Sequence, residues 1–139
     1  MIPAFSAAGV IPPFVGEPAS LGPRSPYAVG VRDVVERFAT STKRCDILRG
    51  WLGHRAAVHS LGLTDGFQWL DGSFCERLIQ REPNDVDLVT FFAKPPGVDL
   101  RALIAANRAI FRRGSRGLST SATPTSYSFT TGSSRNPAS

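Results

Sequence analysis

Two stretches of the chain decide its fold: Gly66-Phe67-Gln68-Trp69-Leu70-Asp71-Gly72-Ser73-Phe74-Cys75-Glu76-Arg77, and Pro83-Asn84-Asp85-Val86-Asp87-Leu88-Val89-Thr90-Phe91-Phe92 shortly after it. The first opens on an aromatic-rich run bounded by Asp65-Gly66 and Gly72, which reads as a short strand over 66–71. A short helix over 73–81 is expected next. Pro83-Asn84 reads as a turn, and Val86 to Phe92, β-branched and aromatic, reads as a buried strand that Lys94-Pro95-Pro96 ends.

Around this centre the hydrophobic spacing becomes helical. Val29, Val31, Val34, Val35 and Phe38 predict a helix over about 27–40, with Ser25 as N-cap and Pro26 in the first turn. Ile47, Leu48, Trp51, Leu52 and Val58 predict a second over about 43–60, although Gly50 and Gly53 weaken it. Leu100, Leu103, Ile104 and Ile110 predict a third over about 98–112, covering one face of the sheet. Residues 1–26 hold Pro3, Pro12, Pro13, Pro18, Pro23 and Pro26 and are expected to form an extended arm. Residues 115–139 hold 13 Ser or Thr, no acid and five apolar side chains, too few to offset the entropy of ordering. The expected organisation is an arm (1–26), an α+β or α/β domain (27–113) with a small sheet and flanking helices, and a disordered tail (114–139).

The net charge is +5, but Arg116 and Arg135 of the tail supply two of those charges, and Arg112-Arg113 is the one dense point. Direct nucleic-acid binding is therefore not favoured. Cys45 and Cys75 form no Cys-x-x-Cys unit, and His54 and His59 lie five apart, which argues against zinc and for two reduced thiols. No apolar segment has the length of a membrane span and no signal-like leader is evident, so the expected location is cytoplasmic. Trp51 and Trp69 are read as core or near-core packing.

The chemistry lies in the central stretch. A strand that ends in Gly72-Ser73 and opens a helix would present backbone N–H groups and a helix dipole to phosphates. Gly72 would let the backbone approach the anion, and Ser73 would add a hydroxyl donor. Asp85 and Asp87 flank one residue at a strand start, so alternation puts both carboxylates on one face and Val86 in the core. Two such carboxylates repel each other unless a cation lies between them, and Mg2+ carrying a nucleotide triphosphate is the usual occupant.

These residues resemble the polymerase-beta-like nucleotidyltransferase superfamily, whose signature is Gly-Ser at a strand-to-helix turn and then Asp-x-Asp flanked by apolar residues. The separation here, 13 residues from Gly72 to Asp85, fits. With Gly9-Val10-Ile11-Pro12-Pro13-Phe14 and Arg24-Ser25-Pro26-Tyr27, the stretch looks like an uncharacterised bacterial family of small nucleotidyltransferase-like proteins, over residues 9–112. The resemblance implies Mg2+ on Asp85 and Asp87, which would be the catalytic carboxylates. It also implies nucleotide phosphates on Gly72 and Ser73. Where minimal transferases often carry an Arg, this chain has Glu76, with Arg77 next to it as the candidate nucleotide contact. The implied reaction moves a nucleoside monophosphate from a triphosphate to an acceptor hydroxyl on protein or RNA.

That reaction needs a third carboxylate on a later strand. After Asp87 the only acid is Asp99, at the start of the expected covering helix, so the chain is expected to be inactive. Ser and Thr codons displaced by one position encode strand-forming residues. A frameshift or truncation near 112–118 would therefore account for both the Ser/Thr-rich tail and the missing strand. The alternative is a non-catalytic regulatory or binding module, such as a partner in a toxin–antitoxin or defence system.

Overall fold

The computed structural model describes residues 1–111 in full, and the main chain of 118–119 and 126–131. The elements run α1 (Val31–Phe38), α2 (Thr42–Ser60), β1 (Gly66–Asp71), β2 (Asp87–Ala93), α3 (Leu100–Ala106), α4 (Arg108–Phe111), β3 (Leu118–Ser119) and β4 (Ser126–Thr131). Every strand pair is antiparallel, in the order β1-β2-β4-β3. The fold is thus α+β rather than α/β, because no crossover helix joins β1 to β2. Most of the Ser/Thr-rich stretch expected to be a disordered tail lies outside the described residues. Its two described segments are strands, with Tyr127 opposite Phe92 and Phe129 opposite Thr90 in the register.

The β1–β2 pair has two unlike faces. Leu88, Thr90 and Phe92 of β2 are buried, and between them Val89 and Phe91 lie on the opposite, more open face. The inner face carries two apolar clusters. Val34, Phe38, Leu48, Trp51, Phe74 and Leu88 form one, and Val86 packs against it as expected. Val58, Leu63, Phe92, Leu100 and Phe111 form the other, which joins α2, α3 and α4 to the far end of β2. A short polar chain crosses between them: Trp51 Nε1 donates to Gln68 Oε1 (2.8 Å), and Gln68 Nε2 donates to Thr90 Oγ1 (3.0 Å). Each buried polar atom in this chain thereby gains a partner.

Residues 1–26 contain no helix or strand beyond an isolated bridge between Phe14 and Arg24. Ile2, Phe5 and Ile11 pack on the first cluster, and the Arg37 guanidinium lies 4.1 Å from the Phe5 ring centre while donating to Pro3 O (3.2 Å). Among the described residues no helix is long and apolar enough to cross a membrane.

Three helices differ from expectation. Ser25 does not cap α1, and Pro26 is not in its first turn. The N-cap is Gly30, whose N–H donates to the Asp33 carboxylate (3.0 Å), because an acid in the first turn satisfies a donor that Ser25 lies too far upstream to reach. The helix expected over 98–112 divides at Asn107, whose non-helical backbone is held by its own side chain donating to Leu103 O (2.9 Å). The helix expected over 73–81 is only a single 3-10 turn, Ser73–Cys75.

Candidate functional site

The lost helix has a specific cause. To continue, it would need the Arg77 N–H to donate to Ser73 O, but Glu76 is extended (φ −108°, ψ 155°) and the Arg77 N–H donates to Gly9 O of the arm (2.7 Å). Arg44 holds the chain in this course, one terminal nitrogen donating to Phe74 O and the other to Glu76 O, each at 2.7 Å. Arg44 comes from the first turn of α2, where the Ser41 side chain caps the helix by accepting from Arg44 N (3.2 Å). Its guanidinium is buried, 7% exposed, and lies over the Phe74 ring at 5.3 Å. Nothing local in the sequence singles out Arg44. Only a contact some 30 residues along the chain makes it the clamp of the Gly-Ser corner.

The helix dipole expected behind Gly72-Ser73 is therefore not available, since one short turn carries little macrodipole. The corner keeps the left-handed backbone of Gly72 (φ +80°). Gly72 N donates to Asp71 Oδ1 (2.8 Å), while Cys75 N and Glu76 N bond back to Gly72 O and Ser73 O. Ser73 and Phe74 supply the corner's remaining main-chain donors.

Asp87 meets this corner. Asp87 stands opposite Asp71 as the last pair of the β1–β2 ladder, and a Cβ on Gly72 would overlap the Asp87 carboxylate. Only glycine allows that approach. Asp85 precedes the strand, which begins at Asp87 rather than Val86. Burial, then the neighbouring Asp85 and Asp71 carboxylates, raise the Asp87 pKa above its ordinary value. Gly72 and Asp87 are thus brought together, with Ser73 next to Gly72 in the turn and Asp85 within electrostatic reach of Asp87. Asp71, to which sequence reasoning gave no role, joins the group. Its only signal was that it lies on the strand side of Gly72.

Arg77 is tied to the arm through its main chain, and its side chain is exposed. Among the described residues no group of three or more His, Cys, Asp or Glu is arranged to hold a metal ion. A two-carboxylate set still suits Mg2+, which takes one or two protein carboxylates and fills its shell with phosphate and water. Cys45 and Cys75 are free thiols, and burial, with Asp71 adding to it and Arg44 opposing, pushes Cys75 up to about 12.

The crowding of three acids has a measurable consequence. A carboxyl whose folded-state pKa is raised favours folding when protonated, and that contribution is lost as pH rises through the folded value. Asp87→Asn is therefore expected to raise the urea midpoint at pH 7 without divalent cations, and the gain should shrink on acidification toward pH 4. A gain that grows as pH falls would show that the carboxylates do not crowd one another.

No curated protein and no solved structure matches the chain. One family profile matches residues 3–131. That span takes in the arm, the Gly72-Ser73 corner, both aspartates and β4, and it runs past residues 112–118, where a break in reading frame is expected from the codon pattern. The chain belongs to the family of unknown function DUF6932.

Proposed function

We propose that this chain carries the nucleotide-binding part of a nucleotidyltransferase-like site and binds a magnesium–nucleotide triphosphate without completing transfer. Asp85 and Asp87 take the metal, and the Gly72-Ser73 corner receives the phosphates. Arg77 follows that corner as the candidate cation for the triphosphate. The observation that supports this most is the close approach of Gly72 to the Asp87 carboxylate, which joins the two halves of the motif at one point. Magnesium, when bound, would neutralise the paired carboxylates and the triphosphate together and so offset the repulsion from Asp85 and Asp71 that adds to the effect of burial on Asp87.

The full reaction would pass a nucleoside monophosphate to a protein or RNA hydroxyl and needs a further carboxylate as base. Asp99, the one acid after Asp87, accepts from Arg101 N (3.0 Å) and Ala102 N (3.2 Å) as the N-cap of α3, so it is engaged in holding that helix. That engagement favours the reading as a binding or regulatory module, of the kind that partners a toxin or defence protein, over an active transferase.

Calorimetry with a nucleoside triphosphate tests this. Binding is expected only with Mg2+, and Asp87→Ala should weaken it by at least about tenfold, the effect of losing roughly 1.4 kcal/mol. Metal-independent binding, or none, sinks the assignment. Incorporation of labelled nucleotide into protein or RNA would overturn the claim that transfer is not completed and point to Asp71 as the missing acid.

A further inference from the structure

We infer that the open face of the β1–β2 sheet is a nucleobase seat, with Trp69 as its floor and Phe67 and Phe91 beside it. This rests on the magnesium–triphosphate reading above, and it extends that reading from phosphates to base.

The register lines up three pairs along this face: Asp71 with Asp87, then Trp69 with Val89, then Phe67 with Phe91. Neighbouring pairs on one face are about 7 Å apart along a strand. The aromatic floor therefore begins one step from the acids, a gap that the ribose of a nucleotide held at the acids would bridge. Trp69 was expected in or near the core, yet it is 42% exposed and Phe67 61%, because strand alternation sends Gln68 and Leu70 inward instead. Phe67 stacks on Phe91 with ring centres 4.7 Å apart and planes 18° apart, and Trp69 tilts toward Phe91 at 6.2 Å. Phe67 and Phe91 spend their facing surfaces on each other and wall one end, so Trp69, tilted from them and exposed, is the ring offered to a base, and such stacking does not depend on which base it is.

Charge selects the occupant. A second copy of the chain laid on this face would bring its own carboxylates toward Asp71, Asp85 and Asp87. A metal-bound nucleotide brings the opposite charge to the acid end and a π-face to the aromatic end.

The test compares Mg-ATP with Mg-tripolyphosphate on the full chain, by calorimetry and tryptophan fluorescence. Trp51 is 4% exposed and hydrogen-bonded, so quenching reports on Trp69. ATP is expected to bind on the order of tenfold tighter than tripolyphosphate and to quench emission. Trp69→Ala should bring ATP to the tripolyphosphate level, whereas Trp69→Phe should keep most of the difference. Equal affinities in the unmodified chain overturn the base seat while leaving the metal–phosphate site standing. If neither ligand binds, the site reading fails and the seat with it. If sedimentation shows that Trp69→Ala splits a dimer while ATP affinity holds, the face is an interface and the seat is refuted.

Discussion

Arg44→Ala should lower the free energy of unfolding by about 3–5 kcal/mol, the cost of losing two hydrogen bonds from a buried cation to main-chain carbonyls. The guanidinium holds two carbonyls at 2.7 Å in a site only 7% exposed to water. Without it the Phe74 and Glu76 oxygens lose their donors beside the Phe74 ring, which is fully buried in the first core cluster. The loss should appear as a lower urea midpoint with an unchanged slope. Arg44→Lys should recover only part of it, because one ammonium does not reproduce the fork that reaches both oxygens. A change below about 1 kcal/mol would mean that the corner is held by other contacts.

Gly66→Ala is expected to cost about 3 kcal/mol, at the upper end for overpacking a tight site. A methyl there would overlap the Phe91 carbonyl and lie 2.7 Å from the Phe92 Cα, so backbone rather than a flexible side chain would have to move. The overlap falls at the Gly66–Phe92 pair, where β1 enters the ladder next to the Ala93 N–H bond to Asp65 O (2.8 Å). Hydrogen exchange should therefore quicken most in the β1 and β2 amides near that end. Uniform loss across both strands, or a stability within about 0.5 kcal/mol of the parent, would refute this account.

How much of this was legible in the sequence depended on whether the deciding interactions were local. β1 was read at its observed bounds because Gly66 and Gly72 bracket an aromatic run, and α2 was close because the Leu48, Trp51 and Val58 spacing marks it. The Gly72–Asp87 approach depends on the antiparallel register that sets Asp71 opposite Asp87, which motif spacing does not fix. The helix over 73–81 failed because the Arg77 N–H goes to Gly9 O and Arg44 holds the chain at Phe74 and Glu76, contacts far away in sequence that no local propensity encodes. Trp69 was misplaced for a related reason. Its hydrophobicity suggested core, but period-two geometry had already assigned Gln68 to the inner face, where Trp51 and Thr90 satisfy its amide.

The arm adds an order of events. Phe5 rests on Phe38, Pro3 is held by Arg37 across 34 positions, and Gly9 waits for the Arg77 amide, so the arm is made before every residue that receives it. Its docking closes the longest loops in this half of the molecule and should come late in folding. Until then, Ile2 and Phe5 remain uncovered during synthesis, a period in which a chaperone or a neighbouring nascent chain has the first chance at them.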